Sequence, residues 1–210
     1  MLHCAAHDIR AVALANVTPG VIDLFDEVDR EISLKGRRWV VGHIATLSPR
    51  DIEKLARMEL VVTTHTNRYI YKEAHLLQRR LPPERHREIT PVRDLLDAGV
   101  KVGLATDNVP VSMFWPIWQV VARRTNVNNA QVAPEQSITR AEALRCATVD
   151  CAYVTFDEGK KGSLEPGKLA DLAVLTADPL AVDETGLRDI AALMTMVGGK
   201  VVHETPNWLG

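Results

Sequence analysis

His43, His65 and Asp107 stand out for their chemistry, because each follows a short β-branched run. His43 closes Trp39-Val40-Val41-Gly42-His43, and His65 follows Leu60-Val61-Val62-Thr63-Thr64. Asp107 comes two residues after Val100-Lys101-Val102-Gly103-Leu104-Ala105. If the runs are strands of one parallel sheet, all three side chains leave its C-terminal edge, where such sheets bind ligands. His and Asp side chains converging on one mouth suit a divalent metal, most naturally zinc. Such a metal brings the pKa of a water towards ~7. A nearby carboxylate can then carry the proton to a leaving amine. His3 is a further candidate if Met1-Leu2-His3-Cys4 ends a strand.

Each residue also has a plainer reading. His43 and His65 fit hydrogen-bonded structural histidines. Asp107, ahead of Asn108-Val109-Pro110, fits an Asx turn. His3 and His7 are four apart, which would put them on one helix face as a zinc pair. His75, His86 and His203 sit in polar or turn contexts, and Trp115 and Trp118 read as core or pocket wall.

The elements that must position these residues alternate. The three runs are nearly continuous in apolar or small residues, as strands buried on both faces are. Between them lie helical patterns. Residues 21, 22, 24, 25, 28 and 32 are apolar at helical spacing. Ser48-Pro49 and Thr90-Pro91 each read as a cap followed by a first-position proline. Gly99 ends the second of these helices, and Thr139-Arg140-Ala141-Glu142 is a capping box. Leu76 to Ile89, rich in Arg and Pro, reads as a long polar loop over the sheet edge. After Asp157 come turn-rich residues and then Leu172–Leu175, Leu193–Val197 and Val201–His203, with Gly198-Gly199 as a hairpin turn. Strand and helix in alternation imply βαβ units, within a barrel or a doubly wound sheet.

Composition excludes several classes. With 25 Lys plus Arg against 27 Asp plus Glu, the net charge of -2 argues against nucleic-acid binding. No apolar run approaches the ~20 residues of a membrane helix. The 3 cysteines form no CxxC pair, which predicts a reducing, cytoplasmic setting. His3, His7, Asp8 and Arg10 break up any secretory leader at the start, although a leader could lie upstream. Neither GxGxxG nor GxxxxGK[ST] occurs, so a nucleotide-binding sheet has no support.

Three stretches together resemble the amidohydrolase superfamily, in the branch called amidohydrolase family 3. Val40 to Ile52 with Leu55-Ala56-Arg57 is similar to its strand-six histidine segment. Gly103-Leu104-Ala105-Thr106-Asp107-Asn108-Val109-Pro110-Val111 is similar to its strand-eight aspartate segment. Gly162-Ser163-Leu164-Glu165-Pro166-Gly167-Lys168-Leu169-Ala170-Asp171-Leu172-Ala173-Val174-Leu175 resembles the return into its sandwich-like second domain. The resemblance implies that His43 and His3 are metal ligands from strands six and five. It implies that Asp107 binds metal and handles the proton. His65, Asn67 and Arg68 would lie on the strand-seven loop as substrate contacts. One or two divalent ions, most naturally zinc, and hydrolysis of a C–N bond of amide, N-acyl or formamide type would follow.

The family's strand-one His-x-His has no counterpart in this sequence, nor has its strand-four bridging residue. A complete (β/α)8 barrel takes about 250 residues. The expected fold is therefore α/β: the C-terminal half of a TIM-like barrel over residues 1–157, and a small β-sandwich-like unit over 158–210. The expected function is a metal-dependent hydrolase with a small-molecule substrate. The alternative is a truncated, non-catalytic half-barrel that completes a partner or a longer parent. Expected partners are a missing N-terminal half or a second copy, with neither nucleic acid nor membrane.

Overall fold

The computed structural model describes residues 1–14, 18–107 and 111–208. Four short strands, β1 (Val12–Leu14), β2 (Val40–Gly42), β3 (Val61–Thr63) and β4 (Lys101–Gly103), form one parallel sheet in that order. Gly42 lies opposite Thr63, and Thr63 opposite Gly103. The chain therefore leaves β2, β3 and β4 at the same level, and His43, His65 and Asp107 all follow from that edge.

Helices pack around this sheet: α2 (Thr18–Glu31), α3 (Pro49–Arg57), α5 (Val92–Asp97), α6 (Phe114–Ala122), α7 (Arg140–Ala147) and α8 (Val149–Val154). Two of them start as their sequences predict. Ser48 Oγ accepts from the Asp51 N–H while Asp51 accepts from the Ser48 N–H, with Pro49 opening α3. Thr139 and Glu142 make the same reciprocal pair ahead of α7. Each such cap is worth ~1 kcal/mol. The α5 start differs. Its cap position is Pro91, with no side-chain cap, because the Thr90 hydroxyl donates to the Ile44 carbonyl instead.

Residues 76–89 are not the long loop expected. Helix α4 (Ala74–Arg80) and a 3-10 turn (Pro83–Glu88) occupy them. Ala74, Ile89 and Val132 are buried together with Leu77 and Leu81 against them, and two of the four arginines are paired, Arg85 with Glu88 and Arg87 with Asp94. The chain start also departs from expectation. Leu2–Ala6 is a short helix, α1, rather than the end of a strand, and β1 takes the place beside β2.

The main core is apolar and lies on the parallel sheet. Val41, Val62 and Val102 of the strands meet Phe25, Trp39, Leu55 and Trp118 in it. Phe25 and Trp39 meet edge to face at 5.2 Å, an arrangement that favours aromatic pairs.

The tail forms a separate antiparallel sheet of β5 (Leu172–Leu175), β6 (Ala192–Val197) and β7 (Lys200–Glu204). Gly198 and Gly199 turn the β6–β7 hairpin with φ of 56° and 78°, the region a tight hairpin turn requires. Among the described residues these strands make one sheet, with no second layer to complete a sandwich. Among the described residues the tail has no core cluster of its own, and Leu187 and Ile190 are buried in that of the parallel unit. Among the described residues no helix is long and apolar enough to cross a membrane.

Candidate metal centre

His43, His65 and Asp107 converge at the C-terminal edge of the parallel sheet. One ligand atom from each lies within 4.8 Å of the others. His65 Nδ1 is 3.1 Å from Asp107 Oδ2, and His43 Nε2 is 3.8 Å from the same oxygen. Two atoms bound ~2.0–2.1 Å from one tetrahedral zinc stand about 3.3 Å apart, so the two separations bracket that spacing.

The bonding pattern fits a cation better than a hydrogen-bonded triad. His65 Nδ1 is fully buried and makes no hydrogen bond, although Asp107 Oδ2 lies beside it. With His43, the imidazole and the carboxylate form a group whose ligand atoms are close enough to share one ion. A buried nitrogen without a partner costs ~1–3 kcal/mol, which an ion held by that group would recover. Burial pushes the His65 imidazole below its ordinary value. Asp107 opposes that shift, while His43 and Arg68 add to it. The ring is therefore neutral at neutral pH, the form that ligates.

Two of the three residues carry a backbone signature. His43 has φ 60° and Asp107 φ 46°. Non-glycine residues in this region store ~1–3 kcal/mol each and cluster at functional sites. The Asx-turn reading of Asp107 involves Asn108, Val109 and Pro110, which lie outside the described residues. His43 and Asp107 are partly exposed while His65 is buried, so the centre opens on one side.

A π-helical turn over Asn67–Lys72 follows His65. Such turns recur at functional sites because they re-aim side chains. Tyr69 meets the His65 ring edge to face at 5.7 Å, and burial pushes its phenol upward, so it stays protonated. Beneath the turn, Thr66 Oγ1 donates to Gln119 Oε1 at 2.7 Å, and Gln119 Nε2 donates to Asn67 Oδ1 at 3.2 Å. Gln119 is wholly buried.

The residues read from the sequence are thus distributed unequally. The structure brings His43 and Asp107 together, and His65, read as a substrate contact, stands beside them in a group that could hold a metal ion. Asn67 is buried, with its side-chain oxygen committed to Gln119. Arg68 is partly exposed and reaches Glu73. His3 is not in the group. It lies on α1, its ring 4.1 Å from that of His7, and both are exposed. Ala5 in the same helix accepts from Arg37, three residues ahead of β2, which ties α1 to the opposite edge of the sheet. Gln119 was missed from the sequence, because a glutamine inside an apolar helix carries no mark of what it bonds.

A model of the amidohydrolase family matches residues 2–203. An N-substituted formamide deformylase of Arthrobacter pascens is 38% identical over 124 residues, which is 58% of this chain and 22% of that protein. The crystal structure of an uncharacterized metal-dependent hydrolase from Pyrococcus horikoshii OT3 is similar with TM-score 0.70 and 20% identity, over 84% of this chain and 36% of that one. An adenosine deaminase from Xanthomonas campestris with bound zinc is similar with TM-score 0.64 and 18% identity, over 97% of this chain and 47% of that one. The two structures establish likeness of fold. The chain spans less than half the length of each of these three relatives.

Proposed function

The chain belongs to the amidohydrolase family, and from that premise we propose that it is the metal-holding part of a hydrolase acting on a non-peptide C–N bond of a small molecule. The carrying observation is the convergence of His43, His65 and Asp107 on one point at the C-terminal sheet edge. A formamide or N-acyl substrate is supported by the Arthrobacter relative, which is named a formamide deformylase. The four parallel strands correspond, in this reading, to strands five to eight of a (β/α)8 barrel, and β5–β7 to part of a sandwich-like unit.

His43 Nε2, His65 Nδ1 and Asp107 Oδ2 would hold the ion, with zinc the best match to two imidazoles and a carboxylate. When bound, such an ion supplies Lewis acidity, polarising a carbonyl and making water ionisable near neutral pH. Asp107 presents Oδ2 to both imidazoles and has Oδ1 to take a proton from water and return it to a leaving nitrogen. His65 enters as a neutral ligand because its burial disfavours the imidazolium. Arg68, on the adjacent turn, would meet an anionic end of the substrate. His3 has no part in holding the ion as the chain is folded here.

The test is metal content of the purified chain by elemental analysis, beside His43→Ala and His65→Ala, followed by a screen of N-substituted formamides and N-acyl amines. Near-stoichiometric zinc that both substitutions remove is the expected result. Equal metal in all three proteins would overturn the site. A second reading is favoured by the share of each relative's length that the chain spans. In it, these residues supply one side of a centre that further residues complete. Metal binding without turnover, with turnover restored by adding the remaining part of the barrel, would select that reading.

A further inference from the structure

Arg123 is a fully buried arginine with no carboxylate within 4 Å among the described residues. Burial lowers its guanidinium to about 10, still charged at neutral pH. A buried charge needs compensation, and here backbone carbonyls provide it. Nε donates to the Val132 carbonyl at 2.7 Å, and the two terminal nitrogens donate to those of Thr90 at 3.1 Å and Ile89 at 2.7 Å. Arg123 is also the left-handed residue closing α6, at φ 50°.

Ile89 and Thr90 are themselves wholly buried, and they face the segment that leaves His43. Thr46 and Ile89 form an antiparallel bridge. The Leu47 N–H donates to the Glu88 carbonyl, and the Thr90 N–H to the Ala45 carbonyl, each at 3.0 Å. Thr90 Oγ1 donates to the Ile44 carbonyl at 3.3 Å. These bonds pin each residue from Ile44 to Leu47 by backbone or bridge, directly after the left-handed His43. A residue held at positive φ persists only where its surroundings over-determine it.

We propose that Arg123 is a positioning residue: through Ile89 and Thr90 it clamps the Ile44–Leu47 segment and so fixes the backbone from which His43 reaches the metal point. Gln119, one turn earlier on α6, braces the other imidazole in the same way, through Thr66 and Asn67 directly after His65. One helix thereby sets the separation of two imidazoles that come from different strands. The proposal rests on the metal reading above, so its test includes a measurement that needs no metal.

That test compares hydrogen exchange and zinc affinity in the full chain, in Arg123→Met and Thr90→Val, and in Thr90→Ser as the variant that keeps the hydroxyl. The Leu47 and Thr90 amides are expected to exchange at least tenfold faster in Arg123→Met and Thr90→Val than the change in global stability allows. Zinc dissociation constants should rise about tenfold or more in both, while Thr90→Ser behaves as the parent. Should Arg123→Met fail to fold, Arg123→Lys, which keeps the charge but not the planar fork that spans the three carbonyls, decides in its place. Unchanged protection of both amides overturns the clamp. Faster exchange with unchanged zinc affinity overturns the positioning role. His43→Ala separates the two readings: if it binds zinc as the parent does, the metal reading fails, and amide exchange alone then judges the clamp.

Discussion

His65 Nδ1 and Asp107 Oδ2 stand 3.1 Å apart without a hydrogen bond between them, on residues contributed by different strands of one sheet. An imidazole nitrogen and a carboxylate oxygen so placed can share a cation. Such sharing predicts a strong response to metal. Zinc at a hundredfold excess over its Kd should stabilise the chain by about 2.7 kcal/mol. For a chain of this length that is a Tm rise of about 5–10 °C. Differential scanning calorimetry with zinc and with a chelator measures it, and identical curves would sink the centre.

The ligand set can be separated from the family pattern by substitution. His65→Ala is expected to weaken zinc binding at least tenfold, and His3→Ala to leave it within about twofold. The reason is location: His65 faces Asp107, whereas His3 lies on α1, tied through Ala5 to the start of β2. Titration calorimetry on the two variants decides. The reverse order of effects would mean that residues 1–8 adopt a different arrangement when metal binds.

How much of this was legible follows from which signals a sequence carries. The strand ends were legible because three β-branched runs each stop at a His or Asp, and the strand register then aligns them. The two capping boxes were legible because their chemistry is local. β1 was not, since three residues carry too little alternation to be read. Residues 76–89 read as a solvated loop because Arg85 and Arg87 show their partners Glu88 and Asp94 only in the folded chain. Arg123 was the least legible. It sits beside Arg124, which pairs with Glu184 near the surface, and the two look alike in sequence. Arg123 is distinguished only by carbonyls at 89, 90 and 132, and a carbonyl leaves no trace in residue type.

Asp26 is the most deeply buried of three acids on α2 that pair with Lys54 or Arg57 of α3. It is buried and ion-paired with Arg30, Lys54 and Arg57, while Arg57 also holds Asp29. Burial alone would raise its carboxyl, and Arg30 and Lys54 outweigh that to hold it below the usual range. Removing one partner of a buried pair costs ~3–5 kcal/mol. The cations here are partly exposed, so Asp26→Asn should cost about 2 kcal/mol. A shift in the urea midpoint without a change in slope is the expected readout. A loss below about 0.5 kcal/mol would show that the cluster is solvated.

Glu142 gives a pH signature that can be assigned to one residue. Its carboxylate accepts from Arg93 at 2.6 Å and from the Thr139 N–H and hydroxyl, each at 2.8 Å. The Arg93 bond comes first in holding it at about 2, well under its ordinary 4.5. A depressed carboxyl contributes stability above its unfolded pKa, and that contribution fades as pH falls towards the folded one. Glu142→Gln keeps an acceptor for the cap but loses the charge. Because the group is partly exposed and screened by solvent, the difference from the parent should be only about 1 kcal/mol at pH 7. It should hold level down to about pH 5, then shrink steadily between 4.5 and about 2. Urea midpoints of both proteins at pH 7, 5 and 3 test this. A difference that stays constant across that range would mean that the cap bonds, which glutamine retains in part, and not the Arg93 charge pair, carry the stabilisation.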